Sequence, residues 1–99
     1  MVEISELDLE DVKRVDAEAA SRICKALGNK NRLQVFLVIG VGGYPSQAAE
    51  FTGLSRQAVN QHLNRLLDAG LVGRGEERGY FLTVCGEEEL ERLFVEFWE

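Results

Sequence analysis

Apolar residues recur along this chain mostly at steps of three and four, the spacing that places them on one side of a helix. From Asp8 to Leu27 the stripe is Val12, Val15, Ala19, Ile23 and Ala26, which predicts a first helix over that stretch. Gly28 ends it, and Asn29 caps a second helix in which Leu33, Phe36, Leu37 and Gly40 repeat at i, i+3, i+4 and i+7. Gly42 and Gly43 terminate that helix, and Pro45 suits the first turn of a short third one reaching about Thr52, with Ala48, Ala49 and Phe51 as its apolar surface. Gly53 then supplies a tight turn, Ser55 an N-cap, and Leu54 with Val59 a hydrophobic staple across the start of a fourth helix. Val59, Leu63, Leu66 and Gly70 fall on its buried stripe, with Leu67 on the edge. Beyond it the period changes. Leu71 to Arg74 and Tyr80 to Val84 read as strands joined through Gly75, Glu76, Glu77, Arg78 and Gly79, a short hairpin. Thr83 is a candidate cap for a last helix from about Gly86, with Leu90, Leu93, Phe94 and Phe97 on one face and Trp98 beside it. The expected fold is mainly α with a small β-hairpin, in the order α-α-α-α-β-β-α: a winged helix-turn-helix.

The polar side of the fourth helix carries the chemistry. Arg56, Gln57, Asn60, Gln61 and Asn64 fall together on a face separate from the apolar stripe. Arg, Gln and Asn have forked donors and acceptors that match guanine and adenine edges in the major groove. A face that merely meets solvent is more usually rich in Lys and Glu, and this one has neither.

A net charge of −6 looks wrong for a protein that meets phosphate, since Lys and Arg supply most non-specific affinity for nucleic acid. The distribution answers the objection. Residues 1–18 hold seven acids and two bases, residues 86–99 six acids and one base, but residues 19–85 hold eight bases and four acids. The basic middle contains the helix-turn-helix, and acidic ends placed away from DNA limit non-specific adhesion. Ninety-nine residues make one domain, residues 1–99, whose core is marginal without a partner chain, which favours a homodimer. The longest apolar run, Val35 to Tyr44, is interrupted by Gly40, Gly42 and Gly43 and is about half of what a bilayer requires, so no membrane partner is expected. The acidic start with Glu3, Glu6, Asp8, Glu10 and Asp11 is the opposite of a secretory leader, and a cytoplasmic location is expected. Phe94, Phe97 and Trp98 hint at a buried interface, because large aromatics are costly to leave wet.

The run ALGNKNRLQVF resembles the opening of the second helix in the ArsR family of winged-helix repressors, GLSRQAVNQHLNRLLDAGLV is similar to that family's recognition helix, and GYFLTVCGEEEL resembles its second wing strand leading into the last helix. The pieces occur in the family's order across roughly residues 24–95. The resemblance implies a dimer held mainly by the first and last helices, here about 8–27 and 86–98, with both recognition helices in successive major grooves. Val12, Val15, Ala19, Leu90, Phe94, Phe97 and Trp98 are the candidate interface residues.

The chain departs from the family's metal sensors. Where those carry a thiolate pair at the start of the third helix, this sequence has Tyr44, Pro45 and Ser46, which make no soft-metal site. The last helix offers Glu87, Glu88, Glu89 and Glu91 without a His, an acidic start that the helix dipole favours by itself. No metal and no cofactor are expected. The single His62 lies beside the apolar stripe, and no nucleophile or phosphate loop accompanies it, so no enzyme is expected either. Cys24 and Cys85 read as reduced core thiols, with a redox-responsive pair as an alternative that requires their Cα atoms to lie within about 7 Å.

These features point to a homodimeric repressor reading double-stranded DNA with Arg56, Gln57, Asn60, Gln61 and Asn64, while Ser46, Gln47, Ser55, Arg74 and Arg78 meet the backbone. Two recognition helices related by a two-fold axis predict a pseudo-palindromic operator. Glu76 and Glu77 at the wing tip argue against deep insertion there. A winged helix used as a protein-interaction module, with its acidic helices as the working surface, is the alternative from another class.

Overall fold

A computed structural model describes residues 3–77 and 79–99. After a single 3-10 turn at Ile4–Glu6, the elements are α1 (Leu9–Val12), α2 (Ala17–Leu27), α3 (Lys30–Gly40), α4 (Pro45–Thr52), α5 (Arg56–Asp68), β1 (Val72–Arg74), β2 (Tyr80–Leu82) and α6 (Val84–Phe97). The winged order expected from the sequence is present. The strands pair antiparallel with Val72 opposite Leu82, Gly73 opposite Phe81 and Arg74 opposite Tyr80.

The core lies where α3, α4, α5 and the base of the hairpin meet. Val35, Phe36, Val59, Leu63, Leu66 and Leu71 are fully buried, and Ala48 of α4 joins them. Burying a side chain of this size contributes roughly 1.5–3 kcal/mol, so α5, with three such residues on one stripe, is held in a single rotational setting. Gly40 marks the close approach of α3 and α6: a Cβ there would lie 2.8 Å from Leu90 Cδ1. Gly86 does the same between α6 and the hairpin, since a Cβ would overlap the carbonyl oxygen of Leu71.

Three sequence expectations change. The first helix, expected over residues 8–27, is divided. Asp8 caps α1 by accepting from the Glu10 and Asp11 N–H groups at 3.0 and 3.2 Å, and Asp16 then begins a new helix by accepting from the Ala19 N–H at 3.0 Å. A carboxylate that satisfies free N–H groups competes with helix continuation, and Val12 and Val15 are exposed, so no packing opposes the break. Gly70, placed by the wheel on the α5 stripe, lies outside the helix with φ +78°. Its N–H donates to Leu67 O and the Leu71 N–H donates to Leu66 O, both near 3.0 Å (3.0 and 3.1 Å), which is the Schellman closure that lets Leu66 meet Leu71 in the core. The second strand stops at Leu82 rather than Val84, and the last helix starts at Val84 rather than Gly86. Thr83 takes over there: its Oγ1 accepts the Gly86 N–H at 3.0 Å and donates to Gly70 O at 2.6 Å.

Candidate nucleic-acid interface

The turn between α4 and α5 is built from backbone bonds and one left-handed residue. Gly53, at φ +74°, closes α4 by donating its N–H to Ala49 O at 2.9 Å. Thr52 Oγ1 donates to Ala48 O at 2.7 Å, and the Leu54 N–H donates to Thr52 Oγ1 at 3.3 Å. Ser55 Oγ then accepts the Ala58 N–H at 3.1 Å as the cap of α5. With Val59, Leu63 and Leu66 turned inward, Arg56, Gln57, Asn60, Gln61 and Asn64 are all exposed on the same helix. The five residues expected to face bases are therefore brought together and left free of core packing.

The flanking residues are more committed. Ser46 and Gln47 are exposed in the first turn of α4, but Gln47 Oε1 accepts the Tyr44 N–H at 2.8 Å, which leaves its amide NH2 as the group available outward. Ser55 is likewise engaged as a cap. Arg74, on β1, donates to the Tyr80 hydroxyl at 3.4 Å and sits 5.8 Å from the centre of that ring, a cation–π arrangement that fixes the guanidinium at the side of the wing. Arg78 lies outside the described residues. Glu76 and Glu77 are exposed.

A basic cluster on the other flank of α5 was missed in the sequence. Arg65 is exposed one turn beyond Gln61, and with Arg22, Lys25 and Arg32 it lines a cavity of about 620 Å3. Arg32 is structural within it: Nη1 donates to Ala26 O at 3.2 Å and to Lys25 O at 3.4 Å, the last carbonyls of α2. Burial, and then the neighbouring Arg65, pushes the Arg32 pKa below its ordinary value. His62 is lowered too, first by burial and then by the charges of Arg32 and Arg65. The i,i+4 step from Gln61 to Arg65 was the one sequence signal for this cluster, since its other members come from α2 and α3.

The candidate interface residues divide by environment. Val12, Val15, Phe97 and Trp98 are 65, 59, 74 and 75 % exposed, and Phe94 stacks obliquely on Trp98 with ring centres 5.8 Å apart. Ala19 is half-buried, and Leu90 is spent largely inside the chain against Gly40. Leu27, Leu33, Leu37 and Leu93 with Phe94, Phe97 and Trp98 line an apolar groove of about 580 Å3. Ile4 and Leu9, not among the expected residues, add exposed apolar surface at the other end of the chain.

Cys24 is an exposed free thiol and Cys85 a half-buried one, whose pKa is raised by burial and then by Glu89 and Glu88. Among the described residues, no group of three or more His, Cys, Asp and Glu is placed to hold a metal, and no helix is long and apolar enough to cross a membrane.

Residues 18–73, which run from α2 into β1 and include the whole α4–α5 unit, match the sequence model of the family described as helix-turn-helix domain. The chain belongs to that family. No curated protein sequence matches it. Among solved structures, the fold is similar to reduced HlyU from Vibrio cholerae N16961, with a TM-score of 0.75, 24 % identity, and coverage of 92 % of this chain and 100 % of that one. It is similar as well to another structure of HlyU from the same organism, with a TM-score of 0.73, 25 % identity, and coverage of 85 and 97 %. The helix-turn-helix domain and the winged architecture agree with the ArsR-like resemblance in the sequence, and they are those of a DNA-binding transcriptional regulator.

Proposed function

We propose that this helix-turn-helix chain is a homodimeric repressor that reads a pseudo-palindromic double-stranded operator in the cytoplasm. The observation that carries the reading is the exposed face of Arg56, Gln57, Asn60, Gln61 and Asn64 on a helix whose opposite stripe is fully buried. These side chains take base edges, Arg on guanine and Asn or Gln on adenine. Ser46, Gln47, Ser55, Arg74 and Arg78 take the sugar-phosphate backbone and set the register. The exposed apolar residues of α1 and the turn after it (Val12 and Val15) and of α6 and its C-cap (Phe94, Phe97 and Trp98), with Ala19 and the remaining edge of Leu90, pack against a second copy. The chain acts by binding, not by catalysis.

Cys24 and Cys85 are not assigned a redox role. Burial and two glutamates keep Cys85 in the thiol form, and the thiolate is the species that oxidants attack.

Selection of bound DNA from a random-sequence pool near physiological salt tests the reading, because non-specific phosphate binding is suppressed there. A two-fold symmetric motif is expected. Gln57→Ala or Asn60→Ala should each change the preference at one base pair per half-site, by about 1–3 kcal/mol. A folded wild-type chain that enriches no motif, or both variants retaining the wild-type preference, would overturn the assignment and turn attention to a protein-binding module.

A further inference from the structure

The cavity between the last turn of α2, the start of α3 and the C-terminal half of α5 gathers four cations, Arg22, Lys25, Arg32 and Arg65, against one acid, Asp68. They come from three helices of a chain whose net charge is −6, so the local field runs against that of the molecule. Among the described residues Lys25, Arg32 and Arg65 form no ion pair, and Arg22 pairs only with the exposed Glu18, at 3.4 Å. Arg32 keeps a buried Nε without a hydrogen-bond partner among the described residues. Arg32 and the nearby His62 have lowered pKa values, first through burial and then through neighbouring cations, Arg65 for Arg32 and both arginines for His62. Asn29, the cap of the eleven-residue α3, also lines the cavity, which brings the positive end of a helix dipole to the same place.

Only Arg32 has a structural reason to be there, in tying down the end of α2. Clustering the other three costs free energy unless an anion offsets it. Several cations drawn from three helices, two of them exposed guanidinium forks, suit a phosphate, which carries more charge and more acceptor oxygens than a carboxylate. We propose that this cavity is an anion site that takes a phosphate group, with Arg22, Lys25 and Arg65 as its charged donors and Arg32 as its fixed wall. The phosphate belongs either to the backbone of DNA held by α5 or to a free phosphorylated molecule. Arg65 lies one helical turn past Gln61 on the reading helix itself, which favours the DNA backbone.

The experiment compares the full-length wild type with Lys25→Gln/Arg65→Gln in two measurements. Thermal unfolding is followed in sodium phosphate and in sodium chloride at matched pH and ionic strength, and binding to a mixed-sequence duplex is followed as a function of salt. If DNA supplies the phosphate, the salt slope falls by about one for each contact removed. If a free molecule supplies it, phosphate raises the melting temperature of the wild type and not of the variant, and the salt slope stays the same. An unchanged slope together with no phosphate-specific stabilisation overturns the proposal. The first arm rests on the DNA-binding reading and the second does not, so a chain that bound no DNA would still be tested. Should the double variant lose its helical signal in chloride, Arg22→Gln, at an exposed position of α2, takes its place in both measurements.

Discussion

Replacing Gly86 with alanine adds one methyl group where the backbone leaves no room. A Cβ at this position overlaps the carbonyl oxygen of Leu71 and lies 3.1 Å from its carbonyl carbon and 3.4 Å from Leu82 Cβ. The obstruction is main chain, and it is held in place: Leu71 O accepts the Thr83 N–H at 3.2 Å and the Thr83 hydroxyl at 3.2 Å. Relief therefore requires the start of α6 to move off the base of the wing. Alanine gains about 1 kcal/mol over glycine in helix propensity. Overpacking costs about 1–3 kcal/mol, and the upper end applies where no flexible side chain can yield. A net loss of about 2 kcal/mol remains, which lowers the melting temperature by roughly 8–16 °C for a domain of this size. Thermal unfolding followed by circular dichroism measures it, at one protein concentration because association would add to stability. Gly40→Ala is the internal comparison. Its Cβ would meet Leu90 Cδ1 at 2.8 Å and Cδ2 at 2.9 Å, the far end of a side chain that can swing aside, so its loss should be about 1 kcal/mol or less. A Gly86→Ala protein that melts with the wild type, or no earlier than Gly40→Ala, would refute the close approach of α6 to the wing.

The proposed dimer predicts that Phe97→Asp and Trp98→Asp, at positions 74 and 75 % exposed in the single chain, leave its melting little changed when monomeric but weaken self-association. A buried aromatic anchor is worth about 2 kcal/mol or more, so each should raise the dimer dissociation constant about 30-fold; sedimentation showing a wild type already monomeric at micromolar concentration would remove the α6 interface. His62 has its pKa lowered in the folded state, first by burial and then by Arg32 and Arg65, so the unfolded chain binds the proton more tightly. Stability should fall as pH drops below the unfolded value of about 6.5 and continue to fall to the folded pKa. His62→Gln should flatten that slope in urea-unfolding midpoints measured between about pH 7 and pH 5, and an unchanged slope would assign the acid sensitivity elsewhere.

The exposed polar face of α5 was legible because everything that sets it is local. Gly53, Ser55 and the Val59–Leu63–Leu66 stripe lie within one turn and one helix, and capping with burial leaves the rest of the wheel no choice. What was not legible depended on competition or distance. Asp16 divides the first helix because its carboxylate takes the Ala19 N–H, and the apolar period runs through the break unchanged, so the pattern of Val12, Val15 and Ala19 gave no warning. Gly70 fits the α5 wheel by number, yet its positive φ allows a Schellman closure whose backbone bonds bring Leu71 into the core, which outweighs one more helical residue. Leu90 reads on α6 as an exposed position, and that Gly40 of α3, with no side chain, also opens a seat for it inside the chain was not legible. The basic cavity needs three helices to assemble, and no spacing along the chain encodes that.

The two glycine contacts also explain how the ends of the chain bear on its middle. Through Leu90 on Gly40, α6 is keyed to α3, whose Val35 and Phe36 lie in the same core as the buried stripe of α5. Through Gly86 and Thr83, the same helix is keyed to Gly70 and Leu71, the residues that end α5 and begin the wing. A shift of α6 therefore reaches α5 by two packed routes, and both end in main chain or fully buried side chains, which transmit displacement because close-packed interiors do not absorb it. If a second copy covers Phe94, Phe97 and Trp98, the spacing of the paired reading helices is set at these same two points. Gly86→Ala should then lower operator affinity more than its stability loss accounts for, even at temperatures where the variant is fully folded. A variant that is folded and dimeric and binds the selected operator as tightly as the wild type would show that α6 holds the subunits together without placing the reading helices.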